Sequence, residues 1–174
     1  FEVVMSDVAQ AALDRALATI SGSYDRLIKK EKMTAEQKAA ALGRIKTATD
    51  LAALKDSDLI IEAATENLDL KLKIFKQLDD LAKPEAVIAS NTSSISITKL
   101  GAFTRRPEKV IGMHFMNPVP LMALVEVIRG QATSDATMQT VMDLARALGK
   151  TPVEVNDFPG FVANRVLMPM INEA

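Results

Sequence analysis

One histidine, His114, and a carboxylate twelve residues further on, Glu126, are the residues in this chain whose types and spacing fit proton transfer. The ordinary pKa of histidine lies closer to neutrality than that of any other side chain, so it can take and return a proton. A carboxylate beside it would fix the ring tautomer and stabilise the imidazolium that forms. Both stand in apolar runs, Val110-Ile111-Gly112-Met113-His114-Phe115 and Leu124-Val125-Glu126-Val127-Ile128. Between them, Asn117-Pro118-Val119-Pro120 is a stiff turn, because each proline fixes its own φ and restricts the residue before it. Such a turn can hold the two side chains facing one another from consecutive strands. Taken alone, a histidine in an apolar run is more often a satisfied structural residue. The other polar clusters tip the balance toward chemistry.

Those clusters are Asp7, Glu62 to Glu66, Ser90 to Ser94, and His114 to Asn117. Asn91-Thr92-Ser93-Ser94 either satisfies its own backbone and caps the next element, or lends a hydroxyl to a substrate oxygen. Gly112 leaves room for close backbone approach beside the histidine. An acidic residue at the end of the second strand of a dinucleotide-binding domain accepts hydrogen bonds from the adenosine ribose and repels a 2′-phosphate. Asp7 fits that role, which would favour NAD over NADP, and it equally fits a helix cap. Asn164 is either a helix-start residue or a side chain projecting into a cleft. The run Lys29-Lys30-Glu31-Lys32 either complements a helix C-terminus or meets a phosphorylated ligand such as coenzyme A.

The elements that must position these residues alternate along the chain. Glu2 to Ser6 reads as a strand, and a helix with Leu13, Ala16, Leu17, Ile20, Tyr24, Leu27 and Ile28 at helical spacing runs to about Lys32. Thr34 with Gln37 forms a capping box that opens a second helix, to about Leu42. Leu59-Ile60-Ile61, Ala86 to Ala89, Val110 to Met113, Leu124 to Ile128 and Pro152 to Val155 read as strands. Helices are expected over Leu68 to Leu81, Asp135 to Leu148 and Val162 to Glu173. This order predicts a doubly wound α/β fold, in which ligands bind beyond the C-terminal ends of the parallel strands. The direction of the last strands is left open.

Size and composition narrow the class. The 174 residues are 48% hydrophobic and 25% charged with a net charge of −1, the profile of an ordinary globular domain without the positive field that nucleic acid or an acidic membrane surface demands. There is no cysteine, which excludes disulfides, thiolate nucleophiles and thiolate metal sites. No stretch reaches membrane-spanning length, so a cytoplasmic setting is expected. The chain opens inside a strand pattern and closes inside a helical one, and is read as part of a longer protein.

Five segments together resemble the 3-hydroxyacyl-CoA dehydrogenase family, in particular its bacterial short-chain 3-hydroxybutyryl-CoA branch. They are Asp58 to Asn67, Ala89 to Ile97, Gly112 to Pro120, Leu124 to Ile128, and Asp157 to Arg165. The resemblance implies a Rossmann-like doubly wound NAD-binding domain, lacking its first glycine-rich element and the helical C-terminal domain. The partial NAD-binding domain would cover residues 1–156 with a helical arm at about 8–44, and 157–174 would be a linker and the start of an interdomain helix.

The resemblance further implies NAD as cofactor, an acyl-CoA substrate and a homodimeric parent. Its catalytic residues match His114, Glu126, Ser93 and Asn164; its NAD contacts match Asp7, Glu66, Lys71, Ser93 and Asn117; its coenzyme A contacts match Ser23 and Lys30. No metal is implied, and the 174 residues by themselves are expected to be inactive. Two alternatives share the fold: the dehydrogenase portion of a multifunctional fatty-acid oxidation protein, and a non-catalytic dinucleotide-binding protein. A dehydrogenase acting on a free acid would want an arginine for the carboxylate, and Arg129 and Arg165 both lie outside the strand-end clusters.

Overall fold

The computed structural model describes residues 1–174, and its internal contacts divide the chain into Phe1–Asp56 and Ser57–Ala174. In the first unit, strand β1 (Val3–Ser6) leads into helices α1 (Gln10–Lys29) and α2 (Ala35–Gly43), then strand β2 (Ile45–Ala48). The two strands pair in parallel from Val3↔Ile45 to Ser6↔Ala48, so the helical hairpin is the crossover that parallel pairing requires. The Thr34 capping box forms, with Gln37 N–H donating to Thr34 Oγ1 at 3.1 Å and Thr34 N–H to Gln37 Oε1 at 2.9 Å. Helix α1 stops at Lys29, short of the expected Lys32, because Glu31 turns left-handed at φ 55°. Strand β2 escapes the sequence reading: four residues are too few to show a period, and its pairing partner lies some forty residues upstream.

The second unit holds strands β3 (Leu59–Glu62), β4 (Val87–Ser90), β5 (Val110–Phe115), β6 (Leu124–Arg129) and β7 (Thr151–Asn156), side by side in that order. Its helices are α3 (Leu68–Leu81), α4 (Ile97–Gly101), α5 (Asp135–Ala147) and α6 (Ala163–Glu173). Strands β3, β4 and β5 are mutually parallel, β6 runs antiparallel to β5, and β7 runs parallel to β6. The direction left open by the sequence is thus settled by the short link between β5 and β6, which has no room for a helical crossover. Within it, Leu121 N–H and Met122 N–H both donate to the Pro118 carbonyl.

Strand alternation assigns each residue to a face. Val87, Ala89, Ile111, Met113, Val125 and Val127 point to one side and pack with Met138, Val141 and Ala145 of α5. Ile88, Ser90, Gly112, His114, Glu126 and Ile128 point to the other, the side of α3 and α4. Helices on both faces of a mostly parallel sheet make the Rossmann-like doubly wound arrangement that was expected. No helix is long and apolar enough to cross a membrane.

Gly112 serves packing rather than ligand approach. A Cβ there would lie 2.7 Å from Ile128 Cβ, 2.8 Å from Ile128 Cδ1 and 3.0 Å from Ile97 Cγ1. The first of these sits on a β-branched stem that cannot swing aside. Gly112→Ala is therefore expected to destabilise the fold by about 1–3 kcal/mol, the usual cost of overpacking a filled core. Denaturant unfolding would check this, and a midpoint equal to wild type would show that the strands part more easily than their packing indicates.

Candidate active site

Register places the proposed acid–base pair directly opposite one another. His114 and Glu126 are partners across the β5–β6 ladder, on the face shared with α3 and α4. Both are buried, and His114 Nδ1 stands 2.8 Å from Glu126 Oε2. Glu126 Oε1 accepts from the backbone N–H groups of Val162, at 3.0 Å, and Ala163, at 2.8 Å. A carboxylate that receives those bonds accepts from the ring as well, so Nδ1 carries the proton and Nε2 presents its lone pair. That lone pair faces the Ser93 hydroxyl at 3.1 Å. Ser93, His114 and Glu126 therefore form one hydrogen-bonded line, open at the serine end, where Ser93 is exposed.

The loop that carries Ser93 is held from beneath. Asn91 Oδ1 accepts from Phe115 N–H at 2.9 Å and ties the loop to β5. Glu66 Oε1 receives the Thr92 hydroxyl, the N–H groups of Ser93 (2.9 Å) and Ser94 (3.2 Å), and the Ser94 hydroxyl. Burial pushes the Glu66 carboxyl upward, but the Thr92 hydroxyl, the Ser93 N–H, the Lys71 ammonium and the Ser94 hydroxyl together hold it below the usual carboxylate range. Glu66 is thus an anion whose side chain remains partly open to a ligand.

Helix α6 closes the site from the side. Glu126 takes up two N–H groups at its start, and α6 in turn carries Asn164, whose amide donates to the Ser93 carbonyl at 3.1 Å. Asn164 lies in the first turn of α6, with its side chain turned onto the Ser93 loop. The turn before α6 needs a glycine: Gly160 has φ 78°, and a Cβ there would lie 3.2 Å from the Arg165 nitrogen. Phe161, buried beside it, meets the His114 ring edge-on with centroids 5.9 Å apart.

Two contributors escaped the sequence reading as site residues. Phe161 was visible only as part of a turn. Asp157 accepts from the Ser96 hydroxyl (2.7 Å), Ile97 N–H (3.0 Å) and Thr98 N–H (2.8 Å), pinning the end of β7 to the start of α4. Nothing local announces either, since their partners lie 47 and about 60 residues away.

Four of the expected residues, His114, Glu126, Ser93 and Asn164, come together with Glu66 beside them. Asn117 is exposed just beyond β5. Lys71 is buried beneath Glu66: its side chain is 1% exposed, and its ammonium donates to Glu62 Oε1 at 2.7 Å and to the Ala64 carbonyl at 3.0 Å. In the first unit, Asp7 follows β1, is exposed and accepts from Ala9 N–H at 2.9 Å. Ser23 accepts from Arg26 at 2.7 Å, and Lys30 is exposed at the end of α1.

The groups at this strand-end site suit a nicotinamide. An ionised Glu66 can accept from a carboxamide, and the exposed Ser93 hydroxyl stands beside the lone pair of His114. No group of three or more His, Asp or Glu side chains is spaced to hold a metal ion. What the site can do is move a proton at His114 Nε2 while holding an oxygen at Ser93 and Asn164.

Residues 1–158 match the family model for the 3-hydroxyacyl-CoA dehydrogenase NAD-binding domain. The chain is 54% identical, over its whole length, to a probable 3-hydroxybutyryl-CoA dehydrogenase of Deinococcus radiodurans, and spans 62% of that protein. It is 48% identical over 99% of its length to a 3-hydroxybutyryl-CoA dehydrogenase of Clostridioides difficile, again spanning 62% of the relative. The crystal structure of (S)-3-hydroxybutyryl-CoA dehydrogenase from Ralstonia eutropha superposes with a TM-score of 0.97 at 58% identity, covering 99% of this chain and 61% of that one. The chain thus spans about three fifths of the length of these relatives.

Proposed function

We propose a function from the premise that this chain belongs to the 3-hydroxyacyl-CoA dehydrogenase family, across that family's NAD-binding domain. NAD is the dinucleotide of such a domain. The protein that carries it interconverts (S)-3-hydroxyacyl-CoA and 3-oxoacyl-CoA, with 3-hydroxybutyryl-CoA and acetoacetyl-CoA as the short-chain pair. The observation that carries this reading is the line Ser93–His114–Glu126, which sets the His114 Nε2 lone pair directly behind the exposed Ser93 hydroxyl, where a secondary alcohol can approach.

In oxidation, His114 Nε2 takes the hydroxyl proton, and Glu126 steadies the imidazolium without itself becoming protonated. In reduction, the same nitrogen returns the proton to the C3 oxygen as negative charge develops there. NAD, when bound, supplies the hydride acceptor or, reduced, the donor. Ser93 and Asn164 hold the C3 oxygen, an orientation effect that keeps C3 in line for transfer. Glu66 and Asn117 border the nicotinamide, and Asp7 accepts the adenosine ribose hydroxyls. Ser23 and Lys30 meet the coenzyme A nucleotide, Lys30 as a mobile point charge. The protein works in the cytoplasm as a homodimer.

The intact parent protein is expected to oxidise NADH with acetoacetyl-CoA and to favour NADH over NADPH. Cofactor titration at fixed acetoacetyl-CoA checks both points. Absence of turnover would refute the dehydrogenase reading, whereas equal rates with NADPH would remove only the role given to Asp7.

A further inference from the structure

Two residues other than glycine adopt a left-handed backbone, Glu31 and Phe161. Glu31 is exposed and merely follows the end of α1. Phe161 is different: it is 2% exposed, and its φ of 50° is an outlier for so bulky a side chain. Such a conformation costs free energy and persists only where the surroundings over-determine it. The turn alone does not ask for an aromatic ring, since glycine takes this backbone more readily, as Gly160 does at φ 78°.

What the ring meets is His114, with centroids 5.9 Å apart and planes inclined at 60°. The two hydrogen bonds of the imidazole, Nδ1 with Glu126 and Nε2 with Ser93, fix where its nitrogens point. They resist rocking out of plane poorly, because the torsion that turns a histidine ring is broad. The Ser93 bond is also given up when Nε2 takes the proton of a substrate hydroxyl. From then on one hydrogen bond and the phenyl contact hold the imidazole. Inclined aromatic pairs favour this arrangement, and the contact leaves both nitrogens free. The same turn presents the Val162 and Ala163 N–H groups to Glu126 Oε1, at 3.0 Å and 2.8 Å. One short segment thus braces both members of the acid–base pair, the carboxylate through backbone groups and the imidazole through Phe161.

We propose that Phe161 is a positioning residue for proton transfer: its left-handed backbone sets the phenyl ring against the His114 imidazole and keeps Nε2 in line with the C3 oxygen once Ser93 has turned to the substrate. The role rests on the dehydrogenase reading of the site. A ring that only filled space could be replaced by another apolar side chain with the imidazole undisturbed. A ring that braces His114 cannot.

The test uses the intact parent protein with Phe161→Leu, which keeps most of the buried bulk, and Phe161→Gly, which suits the backbone and removes the ring. Two readouts are taken: kcat and KM for NADH with acetoacetyl-CoA, and the nitrogen NMR resonances of the His114 ring, identified by their absence from His114→Ala. Phe161→Leu is expected to lower kcat by about tenfold, the rate equivalent of one lost aromatic contact. Phe161→Gly should lower it by about 10²-fold, the effect of a misplacement of roughly 1 Å at a reacting group. KM for NADH should stay near wild type in both. In the wild type, protonated Nδ1 and bare Nε2 give two widely separated signals. In the variants those signals should draw together, as a ring that swings away from Glu126 mixes its tautomers.

Wild-type kcat in Phe161→Leu, a loss confined to KM, or a fall in kcat with the His114 signals unmoved overturns the proposal. The last of these is what a purely structural role would give. Should Phe161→Gly fail to fold, Phe161→Leu decides alone by the same two readouts. An inactive wild-type parent would count against the dehydrogenase reading, and the His114 signals would still decide whether Phe161 orders the ring.

Discussion

Replacing His114 with alanine in the intact parent protein is expected to lower kcat for acetoacetyl-CoA reduction by about 10²–10⁴-fold, the usual worth of a positioned acid–base group. The loss falls on kcat because the imidazole acts as charge develops on the C3 oxygen, whereas cofactor binding rests on other groups. The structure narrows what can substitute for it. His114 is the chain's only histidine, it is buried, and its Nε2 is the ring atom that faces Ser93. Ser93 cannot replace it, since an unassisted hydroxyl is a poor base at neutral pH. Steady-state kinetics with a separate NADH-binding titration measures both quantities. A variant that turns over near the wild-type rate would remove His114 from the chemistry and require that another group supply the proton.

Glu126→Gln is expected to be nearly as damaging, by about 10²–10⁴-fold in kcat, because an amide inverts the tautomer that a carboxylate enforces. The Glu126 oxygens have separate tasks: Oε2 receives His114 Nδ1, and Oε1 receives the N–H groups that begin α6. A glutamine that keeps its oxygen on α6 turns its NH₂ toward His114. Nδ1 must then accept, the ring proton moves to Nε2, and the base is lost. Helix α6 and Asn164 stay where they are, so NADH affinity should remain near wild type and the melting temperature should change little. Glu126→Ala removes both tasks, and should add a fall in stability to the loss of rate. If Glu126→Gln retained wild-type kcat, the carboxylate would be only a fastening for α6.

The contrast between those two tasks marks the boundary of what could be read from residue types. His114 and Glu126 were legible as a pair because charged and titratable groups in apolar runs are rare enough to require a reason. The hold of Glu126 on Val162 and Ala163 was not, because it joins residues 36 and 37 positions apart through backbone groups that every sequence possesses. Lys71 is the sharper case. Its place in the first turn of α3 gives no local sign of burial, and only the resemblance singled it out, as an NAD contact. Only the packing of α3 against β3 turns that side chain inward onto Glu62. Gly112 divides in the same way: its need for space was visible, but the occupants of that space are Ile128 and Ile97 rather than a ligand.

Local chemistry in this chain decides the alternation of strands and helices, the caps at Thr34 and Ser134, the stop at Gly149, and which residues can carry a proton. Those follow from periodicity, turn geometry and side-chain pKa, each confined to a few neighbouring residues. Tertiary structure decides the antiparallel turn of β6 that sets Glu126 opposite His114, and the seating of α6 that brings Asn164 to Ser93. It also decides the burial of Lys71 between two carboxylates. Each of these joins residues distant in sequence, and their free energy comes from desolvation and register across the sheet, quantities that exist only once the strands have paired.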